Sequence, residues 1–333
     1  MIFVFRLLYS ARPTPEIRDL FWRKGKAMRY LFLIKNYFLI KKEVLSALSF
    51  SVVLTFQYYQ PSLIEPLYHC FLQAFLEMDR PIPLSLFDFS ARMKDKLGLN
   101  PHLSGLMFEE NEMVGFVLHA HGECHGKQVV YNGGSGVIPS YRGQGIIKRI
   151  YQSLLPTLVD TGSKKVLLEV TTDNLQALRI YESLGFKKKQ LYHNFKGTIN
   201  AISMIQNLRF YESQDFKLER FKDFCDFLPP FIDANDRISA NWKYERLMEI
   251  YHQELVVGFV IFQKHLGRIS QIAVRKNMRR KGIGTLLLLQ AQRICQRELT
   301  LMNIPEKAIS VIDFLKSIGF KKYMDQYEME RPL

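Results

Sequence analysis

Apolar and polar positions along this chain repeat with two periods, and the elements they predict come twice in the same order. Runs of strand type fall at 50–56, 105–108, 113–120, 127–137, 165–170 and 186–195. Among them, apolar residues three and four apart predict helices over 62–76, 86–96, from Ile146 onward, and over 175–184. A linker near 197–211 also holds a candidate first strand, and the order then restarts. A helix at 218–224 precedes strands at 247–251, 256–264 and 269–274. A long helix follows with Ile283, Leu286, Leu287, Leu288 and Ala291 on its apolar face, then a short strand at 299–302 and a final helix at 308–318. The pattern predicts an α/β fold (α+β, mixed sheet) of two tandem domains, each a central, mostly antiparallel sheet flanked by helices. The expected boundaries are 1–49 for an N-terminal extension, 50–200 for the first domain and 205–333 for the second.

Each half places a glycine turn between a strand and a long helix, and each turn is followed by the same closing phrase. The first copy reads Tyr141-Arg142-Gly143-Gln144-Gly145-Ile146-Ile147, with Gly185-Phe186 beginning 40 residues after Gly145. The second reads Arg279-Arg280-Lys281-Gly282-Ile283-Gly284, with Gly319-Phe320 beginning 37 residues after Gly282. The loops stand 137 residues apart and the closing pairs 134, a spacing that a duplicated module leaves behind. A strand, glycine turn and helix together aim free main-chain N–H groups and the positive end of the helix dipole at one spot. Residues 142–147 and 279–284 are therefore candidate phosphate contacts, with Lys148 and Arg149 adding positive charge, the alternative being a tight strand–helix connection that holds no ligand. No Gly-Lys-Ser/Thr ends either turn, and no acidic residue follows at the dinucleotide-binding position, so neither of those loops is present.

Taken with the phrases Gly136-Val137-Ile138-Pro139-Ser140, Leu167-Leu168-Glu169-Val170 and Asn174-Leu175-Gln176-Ala177 running to Tyr181-Glu182-Ser183-Leu184-Gly185-Phe186, the chain resembles the GNAT superfamily of acyl-CoA-dependent N-acyltransferases in a tandem arrangement. The resemblance covers roughly 50–197 and 205–333. It implies acetyl-CoA as acyl donor, gripped at its pyrophosphate by the glycine turn. It also implies a splayed strand whose backbone around Val137, and around Val274 in the second half, holds the pantetheine arm. Asn174 is implied as a cofactor contact and Tyr181 as the general acid beside the thioester sulfur. The halves depart from the pattern in opposite ways. Ile147 stands where Gly or Ala is usual in the first loop. In the second half, Leu315 occupies the tyrosine position and Ala308 the asparagine position. Leucine has no proton to give. The first half is expected to be catalytic and the second degenerate, with cofactor binding there left open.

Acyl transfer needs a base for the amine as well as an acid for the thiolate. Glu109, Glu110, Glu112 and Glu169 are the candidates, of which Glu110 and Glu112 flank Asn111 in an expected hairpin turn. Glu169 precedes Asn174 on a strand and is either the base or a carboxylate paired on the sheet. Asn174 can cap a helix and contact a cofactor at once. The segment from His119 to His125 collects ligand-type residues, but it straddles a strand end and a loop. A place near the substrate entrance, with no metal, is the expectation.

Charge changes this picture little. The formal net charge is +14, but residues 1–49 hold ten basic and three acidic residues, so half of the surplus sits in the extension. No nucleic-acid partner is called for. The uncharged stretch 44–64 is long enough to raise a membrane span, yet its serines, threonine and glutamines read instead as a strand and a helix start. The order of apolar and basic segments in 1–49 does not fit a signal peptide, and the extension reads as a dispensable tail. Cys70, Cys124, Cys225 and Cys295 lack any close pair, which fits a reducing, cytoplasmic setting. The expectation is a monomeric or homodimeric acetyltransferase acting on a small-molecule amine or a peptide. The alternative is a non-catalytic acyl-CoA sensor.

Overall fold

In the computed structural model, which describes residues 53–76, 85–200 and 208–333, twelve strands join edge to edge in one sheet. The extension 1–49, the first residues of the strand expected from Phe50, the loop residues 79–84 and the linker residues 201–207 lie outside the described residues. In the first module β1 (Leu54–Tyr58), α1 (Ile64–Ala74), α2 (Leu86–Ala91), β2 (Gly105–Glu109), β3 (Glu112–Cys124) and β4 (Lys127–Val137) lead to α3 (Ile146–Asp160). Strand β5 (Lys165–Thr171), α4 (Leu175–Ser183) and β6 (Lys187–Gly197) complete it. The second module repeats the order with β7 (Leu208–Ser213), a 3-10 segment Leu218–Phe224, α5 (Asn235–Ala240), β8 (Arg246–His252), β9 (Leu255–Gln263) and β10 (Arg268–Val274). It closes with α6 (Ile283–Cys295), β11 (Leu299–Pro305), α7 (Ile309–Ser317) and β12 (Lys321–Pro332). The segment expected as a helix at 218–224 is thus 3-10, and β12 follows the helix that the apolar pattern placed last.

The strand order is β1-β2-β3-β4-β5-β12-β6-β11-β10-β9-β8-β7. The last strand of each module therefore lies against the fifth strand of the other: β12 pairs antiparallel with β5, and β6 pairs antiparallel with β11. The two exchanged strands also pair with each other, joining both sheets into one. Core residues cross with them. Met329 of β12 is fully buried in the first module's apolar cluster, while Phe195 of β6 is fully buried in the second's with Leu299, Leu315 and Phe320. Each such side chain is worth roughly 2–3 kcal/mol of burial that its own module does not collect. Gln292 on α6 fastens the same crossing by bonding both the N–H and the carbonyl of Ile199, at 2.7 and 3.0 Å.

No helix among the described residues is long and apolar enough to cross a membrane. Cys70, Cys124 and Cys295 are buried and Cys225 is half-buried, all as free thiols.

Candidate active site

Both glycine turns are built alike. Gly145 (φ 72°) and Gly282 (φ 76°) hold the left-handed conformation at the helix N-cap, which a side chain resists. Neither helix receives a side-chain cap. The first intrahelical bonds return from Arg149 to the Gly145 carbonyl and from Leu286 to the Gly282 carbonyl. The amide N–H groups of Ile146, Ile147 and Lys148, and of Ile283, Gly284 and Thr285, therefore point out of the helix ends. A Cβ added at Gly143 or Gly145 would meet nothing, so the first turn has open space for an anion. Gly143, Gln144 and Gly145 are exposed, as are Arg280, Lys281 and Gly282.

The guanidinium groups of Arg142 and Arg279 do not face this space. Arg142 donates to the Val137 and Ala74 carbonyls, and Arg279 to the Val274 and Phe224 carbonyls and to Asp226. These side chains hold the turn in shape, leaving anion contact to the backbone. Ile147 is buried in the first module's apolar cluster, away from the turn's open side. The corresponding Gly284 has a different reason, since a Cβ there would lie 3.0 Å from the ring of Phe314 on α7. The two modules have traded a large residue between facing helices.

The central strands part beside each turn. β4 pairs with β5 only at Val130–Asn132, and β10 with β11 only at Arg268–Ile269. A register shift inserts one extra residue just beyond, Gly133 in β4 and Ser270 in β10. A bulge bends its strand and ends pairing, so the backbone from there to Val137 and to Val274 is released from the inner neighbour while still pairing with β3 and β9.

In the first opening a polar chain backs the bulge. Asn132 accepts from the Gly134 N–H at 2.9 Å and donates to Ser135 at 2.9 Å and to the Tyr151 phenol at 2.7 Å. His119 is fully buried with Nδ1 2.6 Å from the Leu103 carbonyl, so Nδ1 carries the proton and Nε2 accepts from Tyr151 at 3.3 Å. Burial lowers the His119 pKa to about 4, which keeps the ring neutral. Tyr181 on α4 brings its phenol to Ser135 and Asn132, and its ring packs edge-on against Phe186 at 5.6 Å. Burial raises the pKa of that phenol, and the two neighbouring side chains only partly oppose the rise. Asn174 caps α4 by accepting from the Ala177 N–H at 3.0 Å, and its side chain is exposed at the mouth of the opening.

Glu169 on β5 is half-buried and accepts a hydrogen bond from Tyr131 of β4. Tyr131 in turn stacks on Phe231 of the second module, with centroids 4.6 Å apart. Burial raises the Glu169 pKa to about 8. The Tyr131 bond opposes this, while Glu328 and Asp233 add to it. Beside them, Arg268 grips Asp233 with two bonds of 2.7 and 2.6 Å, and Lys96 lies 3.3 Å from Asp233 and 2.9 Å from Glu245. Arg92, at the start of a π-helical turn (Arg92–Leu97) continuing α2, is exposed and has no ion pair among the described residues.

In the second opening, a cavity of about 620 Å³ is lined by Ser270–Val274, Arg279 and Arg280, Gly282–Thr285, Leu301–Ile304 and the face of α7 that carries Phe314. Leu315 is fully buried and Ala308 supplies no cap, so no phenol or amide stands where Tyr181 and Asn174 stand in the first.

Residues 64–186 match the Acetyltransferase (GNAT) family and residues 244–322 match the Acetyltransferase (GNAT) domain, together more than half of the chain. The chain belongs to the GNAT superfamily of N-acetyltransferases. Two modules in tandem are also the arrangement of a tandem GNAT protein from the clavulanic acid biosynthesis pathway. It superposes with a TM-score of 0.65 at 12% identity, over 84% of this chain and 98% of that one. A putative acetyltransferase from Pyrococcus horikoshii gives 0.63 at 17% identity, over 86% and 91%. At these identities the likeness is one of fold. In sequence, the chain is 29% identical over 114 residues to N-alpha-acetyltransferase 30 of Schizosaccharomyces pombe, covering 32% of this chain and 71% of that protein. It is 30% identical over 105 residues to N-alpha-acetyltransferase MAK3 of Arabidopsis thaliana, covering 31% of this chain and 55% of that protein.

Within the GNAT fold, the predicted residues Arg142–Ile147, Val137, Asn174 and Tyr181 gather around the first opening, and Arg279–Gly284 with Val274 around the second. Glu110 and Glu112 occupy the expected hairpin turn, with Glu110 at φ 50°. The residues from His119 to His125 do not form an entrance. His119 is core, His121 bonds Ser163 at 3.0 Å, and His125 reaches the Pro229 carbonyl at 2.9 Å. His119 and His121 share one face of β3 but stand two residues, about 6.6 Å, apart along it, and His125 lies in the turn that follows, so each finds its own partner. Sequence reasoning missed Asn132, Ser135, Tyr151 and Glu328. Asn132-Gly133-Gly134-Ser135 carries the composition of a bulge, a signal present in the sequence but passed over. Glu328 carried no such signal.

Proposed function

We propose that the first module transfers an acetyl group from acetyl-CoA to an amine by direct attack. The observation that carries this reading is the bulged, parted strand pair with a phenol at its floor: Tyr181 facing Asn132 and Ser135, beside an anion-ready glycine turn. Main-chain amides after Gly145 hold the diphosphate, and the released backbone up to Val137 holds the pantetheine arm. Asn174 contacts the cofactor from the start of α4. Glu169 takes a proton from the ammonium, directly or through water, and the amine nitrogen attacks the thioester carbonyl carbon. As the tetrahedral intermediate collapses, the C–S bond breaks, the sulfur takes the proton of Tyr181, and the extra proton still on nitrogen passes through water to the phenolate left behind. A neutral phenol is the form this step needs, and burial favours it.

The acceptor is an amine of a small molecule or a peptide. Likeness to the N-alpha-acetyltransferases favours a peptide α-amine, and Arg92 on the same side suits an acceptor bearing a carboxylate or a carbonyl-rich backbone. The four free thiols fit action in the reducing cytoplasm. The boundaries 50–200 and 205–333 remain the reading for the two modules. The cavity in the second module, which lacks a phenol, favours a second role there: binding acetyl-CoA without turnover.

Thiol release from acetyl-CoA across a panel of small amines and short peptides with free N-termini tests the reading. Turnover in the full chain that collapses in Tyr181→Phe is expected. Turnover that survives this substitution overturns the role given to Tyr181, and binding of coenzyme A with no turnover on any amine overturns the reading in favour of the sensor.

A further inference from the structure

We propose that Glu328, on the exchanged last strand of the second module, acts on acyl transfer in the first through Glu169, the carboxylate it faces across the strand pair. The inference rests on the functional reading above.

The register of β12 on β5 sets Glu328 directly across from Glu169. Directly opposed residues in an antiparallel pair have Cβ atoms about 5 Å apart. Both carboxylates are tied down from outside the pair. Tyr192 of β6 donates to Glu328 at 2.6 Å and Gln190 at 3.5 Å, while Tyr131 donates to Glu169. Glu328 is buried, and it reaches this place only because β12 crosses from the other module.

The second opening supplies the control that nature built. Shifted by 134 residues, Glu169 corresponds to Asn303, Asn194 to Glu328, and Tyr192 to Gln326. There the crossing is filled by amides: Asn194 accepts from the Asn303 N–H at 2.8 Å, and Gln326 donates to the Asn303 side chain. The crossing there carries no charge, although the Asn194 side-chain nitrogen stays buried without a hydrogen-bond partner among the described residues. Two carboxylates facing each other on a sheet are unfavourable, so their presence in the first opening alone answers to the chemistry performed there. Like charge opposes ionisation of Glu169, and burial works in the same direction. A carboxylate so placed keeps its affinity for a proton near neutral pH, which a base for an ammonium requires. The other titratable groups around Glu169 are Tyr131 on β4, Cys124 at the end of β3, Tyr192 on β6, and Asp233 with Arg268 from the second module.

The test reads the Glu169 carboxyl itself in the full chain, without substrate. Infrared difference spectra against Glu169→Gln isolate the stretch of the protonated carboxyl and follow it with pH. In Glu328→Gln the midpoint should fall by about one pH unit or more, while Glu328→Asp, which retains the charge, should stay within a few tenths of wild type. The acid limb of kcat/KM, measured by thiol release with the best peptide amine, should move with it, and the KM for acetyl-CoA should not. An unmoved infrared midpoint in a folded Glu328→Gln overturns the proposal even if Tyr181→Phe abolishes turnover, so the two readings fail separately. A rise in the KM for acetyl-CoA with an unchanged pH profile also overturns it, because that is the mark of a merely structural residue.

Discussion

The two openings of this molecule share one backbone and differ in what fills it. Each has a bulge where the central strands part, a left-handed glycine at the helix start and an arginine that braces the turn. In the first, the bulge is stapled by Asn132 and floored by two phenols, and two carboxylates face each other across the exchanged strand. In the second, Ile269 takes the place of Asn132, Leu315 that of Tyr181 and Asn303 that of Glu169, and an apolar cavity remains. Geometry for holding a cofactor is therefore separable from the groups that move protons. The first depends on main-chain dihedrals and survives side-chain drift, whereas the second needs particular side chains.

The strongest break of this contrast is Tyr181→Phe, which should lower kcat by about 100-fold or more while leaving coenzyme A binding within a few-fold. Calorimetry beside steady-state kinetics reads both. Next comes pH. Because the Glu169 pKa is raised to about 8, a base in that position is mostly protonated at pH 7. The value of kcat/KM should climb about tenfold per pH unit below that midpoint and level off above it. The same shift has a sign for stability. The native state retains a proton that the unfolded chain loses near the ordinary glutamate value, so stability falls as pH rises from there to about 8. Glu169→Gln should then melt higher than wild type at pH 9 and close to it at pH 4.

Calorimetry with coenzyme A should find two sites per chain. Gly284→Ile, which drives a side chain against Phe314, should weaken the second at least tenfold, about 1.4 kcal/mol, and leave acyl transfer intact. A single site that persists in this variant would place all binding in the first module. Tyr151→Phe removes the hydroxyl between Asn132 and His119. It should cost about 1–2 kcal/mol in urea unfolding, with a loss of only a few-fold in kcat. The smallest effect is expected of Arg92→Ala, which should raise the KM of an acidic acceptor a few-fold and leave that of a neutral amine and the melting temperature unchanged.

Strand exchange also governs how such experiments are designed. A chain cut in the linker leaves β6 and β12 in the wrong pieces, with Phe195 and Met329 taken from the cores they fill. The modules are best tested together.

Periodicity and spacing were enough to read two modules in tandem, the order of nearly all elements and the two glycine turns, while the resemblance to the GNAT superfamily supplied the split between a half with a phenol and a half without. These depend on local rules: a residue three or four positions away decides a helix face, and a left-handed dihedral asks for glycine wherever the chain goes. What escaped was the partnership between modules. β12 did not read as a strand because its inward positions are Gln326 and Glu328, whose burial makes sense only beside Tyr192, Gln190 and Glu169. The pairing of one module's last strand with the other's fifth depends on contacts more than a hundred residues apart. No local period encodes such contacts, so the tertiary structure alone decided which carboxylate faces Glu169.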